Sequence, residues 1–266
     1  MNIILESKSK IGILTGILSN IHRFADDINL VLTNEKLYVQ GMDSSHVCIY
    51  EICLKPEWFQ SYDVKKPVTI GLKSSVMCLI FGLRQENQSI HMELEKNMDK
   101  FDISFVNNPN SQDETPREFS IPIMDIDQEF MDIPDSEYDV SFQINSKVFS
   151  DIICPLIKFG DDVEFKLSDN IVTLTTDGII NGSITATLLN TSDNIQTIEK
   201  YKNDKSCQFR ISLSLKYMVM FCSFHKIRKY VKLYITKDIP LRMEYSLEDD
   251  DPSQYMRLYL VPKIDD

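Results

Sequence analysis

Residues 23–54 can be laid over residues 158–189 without a gap, at an offset of 135. Phe24 then meets Phe159, and Asp26–Asp27 meets Asp161–Asp162. Leu30, Leu32, Val39, Ile49 and Leu54 meet Phe165, Leu167, Leu174, Ile184 and Leu189. Upstream, Leu14, Ile17, Leu18 and Ile21 meet Phe149, Ile152, Ile153 and Leu156. That i, i+3, i+4, i+7 spacing makes each set one face of a helix. Downstream the offset grows to 141: "VTIGLKSSVMCLIFGL" (68–83) meets "FRISLSLKYMVMFCSF" (209–224), and "IHMEL" (90–94) meets "VKLYI" (231–235). The chain is two copies of one unit.

Each copy reads as strand, helix, several antiparallel strands, then strand, helix and more strands. Segments such as "INLVL", "KLYVQ" and "VCIYEI" alternate with period two. Turn residues separate them at Thr33-Asn34-Glu35 and Ser168-Asp169-Asn170. Few helices and many hairpins predict an α+β fold with helices on one face of the sheets. Between the copies, residues 107–116 form a polar, Pro- and Asn-rich hairpin loop. Residues 124–137 alternate acids with apolar side chains and read as an extended linker with a few anchored side chains.

With 43% hydrophobic residues in a chain of 266, a packed core is expected. No apolar run reaches 18 residues and no secretory signal precedes the first strand, which predicts an intracellular protein without a membrane span. Cys48, Cys53, Cys78, Cys154, Cys207 and Cys222 are scattered, without a CxxC, and most sit in apolar runs. Buried reduced thiols are expected rather than disulfides or zinc. The net charge of −12 argues against a protein that binds nucleic acid over its whole surface, though not against one locally basic face.

"MDSSHV" (42–47) gathers residue types found in hydrolase sites. Triads are assembled in space from separate segments, and neighbouring strand residues point to opposite faces. The repeat partner beginning Asp177-Gly178-Ile179 has no matching constellation. The stretch reads as a turn entering a strand. The pairs Asp26–Asp27 and Asp161–Asp162 read as helix-to-strand turns rather than metal ligands, and Glu248–Pro252 as a solvated loop. Walker A, GxGxxG and HExxH patterns are missing, so neither an enzyme nor a cofactor is expected. Opposite its apolar stripe the first helix carries Lys8, Gly12, Thr15, Gly16, Ser19 and Arg23, and its partner carries Lys147, Asp151, Cys154 and Lys158. These faces are weakly basic, with small residues between the charges.

Five blocks, in order, resemble the proliferating cell nuclear antigen family of DNA sliding clamps. They are "QGMDSSHVCIYEICL" (40–54), "IMDIDQEFMDIPDSEY" (123–138), "FGDDV" (159–163), "DIPLRMEY" (238–245) and "YLVPKIDD" (259–266). The resemblance implies two similar clamp domains, 1–123 and 139–266, joined by a connecting loop at 124–138, and a homotrimeric ring of six domains. Helices would line the hole around double-stranded DNA, read without regard to sequence, and sheets would face outward. Such a ring acts as a processivity factor. It tethers DNA polymerase, the clamp loader, ligase and nucleases through short peptides, in the nucleus or, for a viral member, at the site of viral DNA replication. Nothing is catalysed.

By the same resemblance the peptide pocket comprises Met42, His46, Val47 and Ile49, then Ile126, Met131, Ile133 and Pro134, then Pro240, Tyr259, Val261 and Pro262. Met, Ile and Val suit an adaptable groove for a short helical plug. Lys158 and Lys216 match the family's DNA-facing bases, and Lys8, Lys10, Lys73 and Lys147 stand near other such positions. Ring closure would pair the sheet edges near 117–123 and 178–188. Three departures stand out. Pro122 removes a donor from the first edge. Gly12 and Ser19 replace family lysines, and the helix near 74–83 has none. No lysine stands at Leu167-Ser168-Asp169-Asn170, where eukaryotic members carry a modifiable one. A subunit of a heteromeric checkpoint-type clamp, or a clamp-folded scaffold with weak DNA binding, are the alternative readings.

Overall fold

The computed structural model describes residues 1–94, 99–107, 115–134, 136–168, 171–178, 181–189, 195–200, 209–237 and 239–263. Residues 108–114 of the polar loop, Asp169 and Asn170 of the turn, Cys207 and the last three residues of the tail lie outside these. The chain divides into two compact units. Unit 1 comprises Met1–Ser44, Tyr50–Met131 and Ser246–Met256; unit 2 comprises Ser45–Ile49, Asp132–Tyr245 and Arg257–Asp266.

Unit 1 begins with β1 (Asn2–Leu5), α1 (Lys8–Leu18), β2 (Asp27–Leu32), β3 (Leu37–Met42) and β4 (Cys48–Leu54). It continues through β5 (Ser61–Asp63), β6 (Val68–Lys73), α2 (Ser74–Gly82), β7 (Gln88–Leu94), β8 (Lys100–Asn107) and β9 (Arg117–Pro122). One antiparallel sheet runs β5-β1-β7-β8-β9, and β4-β3-β2-β6 lie side by side in another. Unit 2 repeats the order with β10 (Val140–Asn145), α3 (Ser146–Leu156), β11 (Asp162–Ser168), β12 (Ile171–Gly178), β13 (Gly182–Leu189) and β14 (Ile195–Lys200). Then come β15 (Phe209–Ser214), α4 (Leu215–Cys222), β16 (Tyr230–Ile235), β17 (Leu241–Ser246) and β18 (Tyr255–Leu260). Here β13-β12-β11-β15 form one sheet and β14-β10-β16-β17 lie together in another. Strands β4, β17 and β18 contribute residues to both units. The α+β class expected from the repeat is the class observed.

The helices form where the apolar stripes demand burial. In α1, Ile11, Ile13, Leu14, Ile17 and Leu18 are buried, although Gly12 and Gly16 lower its intrinsic propensity. Tertiary packing holds such a helix together. Its fourth stripe residue, Ile21, lies beyond α1 in a short 3-10 turn, yet is fully buried. In α3, Phe149, Ile153 and Leu156 are buried and Ile152 is only half-buried, so that stripe is narrower than its spacing predicts. Asn145 caps α3, its side-chain oxygen accepting from the amides of Lys147 (3.0 Å) and Val148 (3.2 Å), a contribution of about 1 kcal/mol. Pro155, without an amide hydrogen, stands in the last turn of α3. Helices α1 and α2 pack together, as do α3 and α4. Trp58, Phe81, Phe101 and Phe105 fill the core of unit 1, and Phe142, Phe149, Phe165, Phe221 and Phe224 that of unit 2.

The repeat survives in the aspartates of the helix-to-strand turns, though the lysines they bind do not correspond. Asp27 opens β2 and pairs with Lys73 at 2.7 Å, and Asp162 opens β11 and pairs with Lys263 at 2.5 Å. It diverges at Leu54 and Leu189. Leu54 is fully buried in β4, whereas Leu189 is 47% exposed because β13 is an outer strand. The Glu248–Pro252 run is also more than a solvated loop. Glu248 pairs with Lys10 at 2.6 Å and Asp251 with Lys55 at 3.1 Å, and the Trp58 indole N–H donates to Leu247 O at 3.4 Å. Acids this close to lysines are drawn into ion pairs even when partly exposed. Among the described residues no helix is long and apolar enough to cross a membrane.

Candidate docking surface and basic faces

Within unit 1 the segment 124–131 is pinned to β2, β3 and β6 by polar groups set into otherwise apolar strands. Met124 N donates to Gly71 O at 2.9 Å, and the two residues form an antiparallel bridge. Gly71 permits this approach: a Cβ there would lie 2.3 Å from Met124 O and 2.8 Å from Ile126 Cδ1. Asn29, which faces Gly71 across the β2–β6 pair, donates from Nδ2 to Ile126 O (3.1 Å) and Gln128 Oε1 (3.3 Å). Gln40 donates from Nε2 to Met131 O (2.9 Å) and accepts from Met131 N at Oε1 (2.7 Å), while its own carbonyl accepts from Gln128 Nε2 (2.6 Å).

Asn29 and Gln40 are each 2% exposed, so these bonds satisfy groups that would otherwise be costly to bury. Beside them Tyr38 donates to the buried carboxylate of Glu51 at 2.5 Å. Burial first, and then that carboxylate, push the Tyr38 hydroxyl well above its ordinary value. The Phe130 ring lies 6.1 Å from that of Tyr38 and stays 44% exposed, with Met131 at 46%.

Of the sequence-predicted pocket residues, unit 1 holds Met42, Ile126 and Met131; the first two are half-buried. Unit 2 holds the rest. His46 adopts φ 58° at the exposed corner of the turn entering β4, and Val47 and Ile49 follow half-buried. Asp43 is buried while Ser44, Ser45 and His46 face outward. Val261 N donates to Val47 O at 3.1 Å, which joins the tail to this turn. Val261 is 47% exposed, Pro262 and Ile133 are half-buried, Pro134 is exposed, and Tyr259 is buried at 6%. Pro240 accepts from the Tyr138 hydroxyl at 3.5 Å, beneath the Arg242 guanidinium, which lies 4.9 Å from the Tyr138 ring. Asn29, Gln40, Gly71, Gln128 and Phe130 were missed as linker anchors. Two signals were available: Asn and Gln at inward positions of apolar strands, and a glycine inside "VTIGL".

The candidate basic residues differ in how far their charge is already spent. Lys8 pairs with Glu86 (2.6 Å), Lys10 with Glu248 (2.6 Å), Lys73 with Asp27 (2.7 Å) and Lys147 with Asp151 (2.7 Å). Lys10 also lies 5.8 Å from the Trp58 ring centre, and its side chain is only 24% exposed. Lys158 and Lys216 are exposed, and among the described residues neither has a carboxylate in ion-pair range. The exposed side of α2 presents Ser75, Leu79, Gly82 and Leu83, with Leu79 at 65%.

On the polar side of α3, Cys154 Sγ lies 3.5 Å from Ser150 Oγ. The thiol of Cys154 is held down to about 6, chiefly by the hydrogen bond from Cys222 and then by Ser150; burial opposes the shift. Cys222, the donor, moves the opposite way. The Cys154 thiolate therefore dominates above about pH 6, and its stabilising effect is lost as pH falls through that value. Alkylation of Cys154 by iodoacetamide, followed by mass spectrometry, should rise with a midpoint near pH 6, and Ser150→Ala should move the midpoint upward. A midpoint at the ordinary thiol value would contradict this.

The ends of the sheets carry a further feature. β9 and β13 are outer strands of their sheets. Ile123 N donates to Asp99 O at 3.2 Å, in register with the pair Lys100↔Pro122. Antiparallel ladders alternate, so the odd-numbered amides of β9 face β8 and those of Glu118 and Ser120 face the open side. The nitrogen of Pro122 also faces that side, so the β8–β9 ladder loses nothing to it.

Comparison with known proteins agrees with this architecture. The family described as proliferating cell nuclear antigen, N-terminal domain, matches residues 4–130, and its C-terminal domain counterpart matches residues 132–264. The chain is 28% identical over 257 residues to a proliferating cell nuclear antigen of Chaetomium thermophilum, covering 96% of each protein. It is 26% identical to one of Caenorhabditis elegans, covering 96% of this chain and 95% of the relative. It is 24% identical to proliferating cell nuclear antigen 1 of Plasmodium falciparum, covering 98% and 97%. With both domain families matched in order along a chain that is itself a repeat of one α+β unit, the chain belongs to the proliferating cell nuclear antigen family of DNA sliding clamps.

Proposed function

We propose that this chain is a homotrimeric DNA polymerase processivity factor that encircles duplex DNA and tethers partner proteins through short peptides, catalysing nothing itself. The observation that carries the reading is the pinned linker. Asn29, Gln40 and Gly71 hold the backbone of 124–131 in place while Phe130 and Met131 keep apolar side chains exposed. A preorganised apolar strip is what a short helical or extended peptide needs. The residues proposed to hold the peptide are Met42, His46, Val47, Ile49, Ile126, Met131, Ile133, Pro134, Pro240, Tyr259, Val261 and Pro262. The domains are 1–123 and 139–266, with 124–138 as the connecting loop. Polymerase, loader, ligase and nucleases are the clients, in a nucleus or at a site of viral replication.

Replacing Ile126 and Ile133 together with alanine should weaken capture of a clamp-binding peptide at least a hundredfold, since each truncation of a buried Ile contact costs about 2 kcal/mol or more. Isothermal titration measures it, and light scattering should show the assembly unchanged. Equal affinity for the variant and the parent would remove these residues from the site. One observation favours a second reading, a clamp-folded scaffold with weak DNA binding: Lys8, Lys10, Lys73 and Lys147 are all ion-paired. Polymerase extension on primed DNA separates the two, because only a processivity factor lengthens the products.

A further inference from the structure

Resting on the clamp reading, we propose that the turn after α4, with Lys226 and Lys229 at its surface, is the main phosphate contact of the second unit, ahead of the family-matched Lys158 and Lys216.

The charge of this chain is distributed unevenly. Net charge is −12, yet residues 209–237 hold Arg210, Lys216, Lys226, Arg228, Lys229, Lys232 and Lys237 without one Asp or Glu. Folding sorts these further. Arg210 is drawn to Glu164, and Lys232 stands opposite Glu244 across the β16–β17 pair. Lys226 and Lys229 are exposed, and among the described residues neither has a carboxylate in ion-pair range.

The helix pair separates two ends. Leu215 N, at the start of α4, donates to Asp161 O at 2.8 Å, and Lys158 lies in the turn after α3 just before it. At this end a cavity of about 490 Å³ is lined by Asp161, Asp162, Glu164 and Asp177, among others; Asp162 is paired with Lys263 and Glu164 with Arg210, which leaves Asp161 and Asp177 to repel a phosphate. Lys158 and Lys216 therefore belong to the acidic end, where a phosphate meets repulsion as well as attraction.

At the other end the order is reversed. Ser146 N, the first residue of α3, donates to Lys229 O at 2.9 Å, which fixes the turn against the start of α3. Ile227 is buried and its amide donates to Phe224 O at 3.0 Å, so the turn is fixed rather than loose. His225 Nδ1 is 2.8 Å from Cys222 O. The nearest acid along α3, Asp151, is held by Lys147. The eleven residues of α3 put roughly 16 Å between the ends, about twice the screening length at physiological salt. The acidic cavity does not neutralise the turn at that separation. Two lysines on a fixed turn suit the sugar-phosphate backbone of a duplex, a contact that needs charge and no base readout.

The test uses the full-length protein and a 30-base-pair duplex of arbitrary sequence, followed by fluorescence anisotropy between 50 and 200 mM NaCl. Lys226→Gln with Lys229→Gln should reduce the slope of log K against log salt by about 1.8, so the affinity ratio to the parent changes roughly tenfold across that range. Lys158→Gln with Lys216→Gln should reduce it less. An unchanged slope for the turn variant, with a reduced slope for the other, would overturn the inference and leave the clamp reading standing. A parent protein with no detectable duplex binding at 50 mM would overturn both. Peptide affinity, measured on each variant, shows that the fold is intact.

Discussion

A Gly71→Ala chain should lose the anchored linker. The added Cβ would lie 2.3 Å from Met124 O, a backbone atom that cannot swing aside as a side chain could. Relief requires Met124 to move away, which breaks its 2.9 Å bond to Gly71 O and draws the carbonyl of Ile126 from Asn29. Overpacking of this kind costs about 1–3 kcal/mol. A loss of that size lowers the melting temperature by about 2–4 °C per kcal/mol in a protein of this length. The functional effect should exceed the thermal one. A peptide site preorganised by a fixed strand forfeits affinity when the strand must be ordered on binding, and a tenfold or greater loss is expected in calorimetry. Hydrogen exchange at the amides of Met124 and Met131 separates the cause from general destabilisation. Both should exchange faster while amides in β7 and β8 do not. Unchanged protection at Met124 would show that the glycine is not what seats the linker.

If the chain forms the proposed homotrimer, Ser120→Pro should convert it from about three chains, near 92 kDa, towards the 30.8 kDa monomer. The amide of Ser120 faces the open side of β9, in the same phase as the nitrogen of Pro122. A proline there costs the β8–β9 ladder nothing, and Phe119 before it is already extended, as proline requires of its predecessor. Its ring would remove a second donor from the open edge and stand where a neighbouring strand must approach. Ile121→Pro is the contrasting variant, because the Ile121 amide faces β8 opposite Phe101. That change should unfold the edge of the sheet and lower thermal stability, whatever the assembly does. Light scattering reads the first effect and circular dichroism the second. A Ser120→Pro protein that keeps the parent's mass would mean that β9 does not close the ring.

Much of the fold was legible because burial patterns are local. The stripe at Leu14, Ile17 and Leu18 and its partner at Phe149, Ile153 and Leu156 describe helix faces that fold as such. The alternation in "INLVL" and "KLYVQ" lies on β2 and β3. Its exceptions, Asn29 and Gln40, are where segment 124–131 is anchored. They were not legible as anchors because their partners in the linker are 88 or more residues away in sequence. The same distance hides ion pairing. Lys8 and Lys10 look alike on the sequence of α1, but one reaches Glu86 and the other Glu248 beside Trp58.

The sequence by itself determined that there are two copies of one α+β unit, where their helices and strands lie, and which family they resemble. Each of these rests on spacing within a few turns or strands, where neighbours in the chain are neighbours in space. Only the tertiary structure decided which lysines keep a free charge, which amides of β9 look outward, and which polar side chains seat the linker. Those properties depend on contacts between distant segments, and one strand register or one glycine without a side chain sets them.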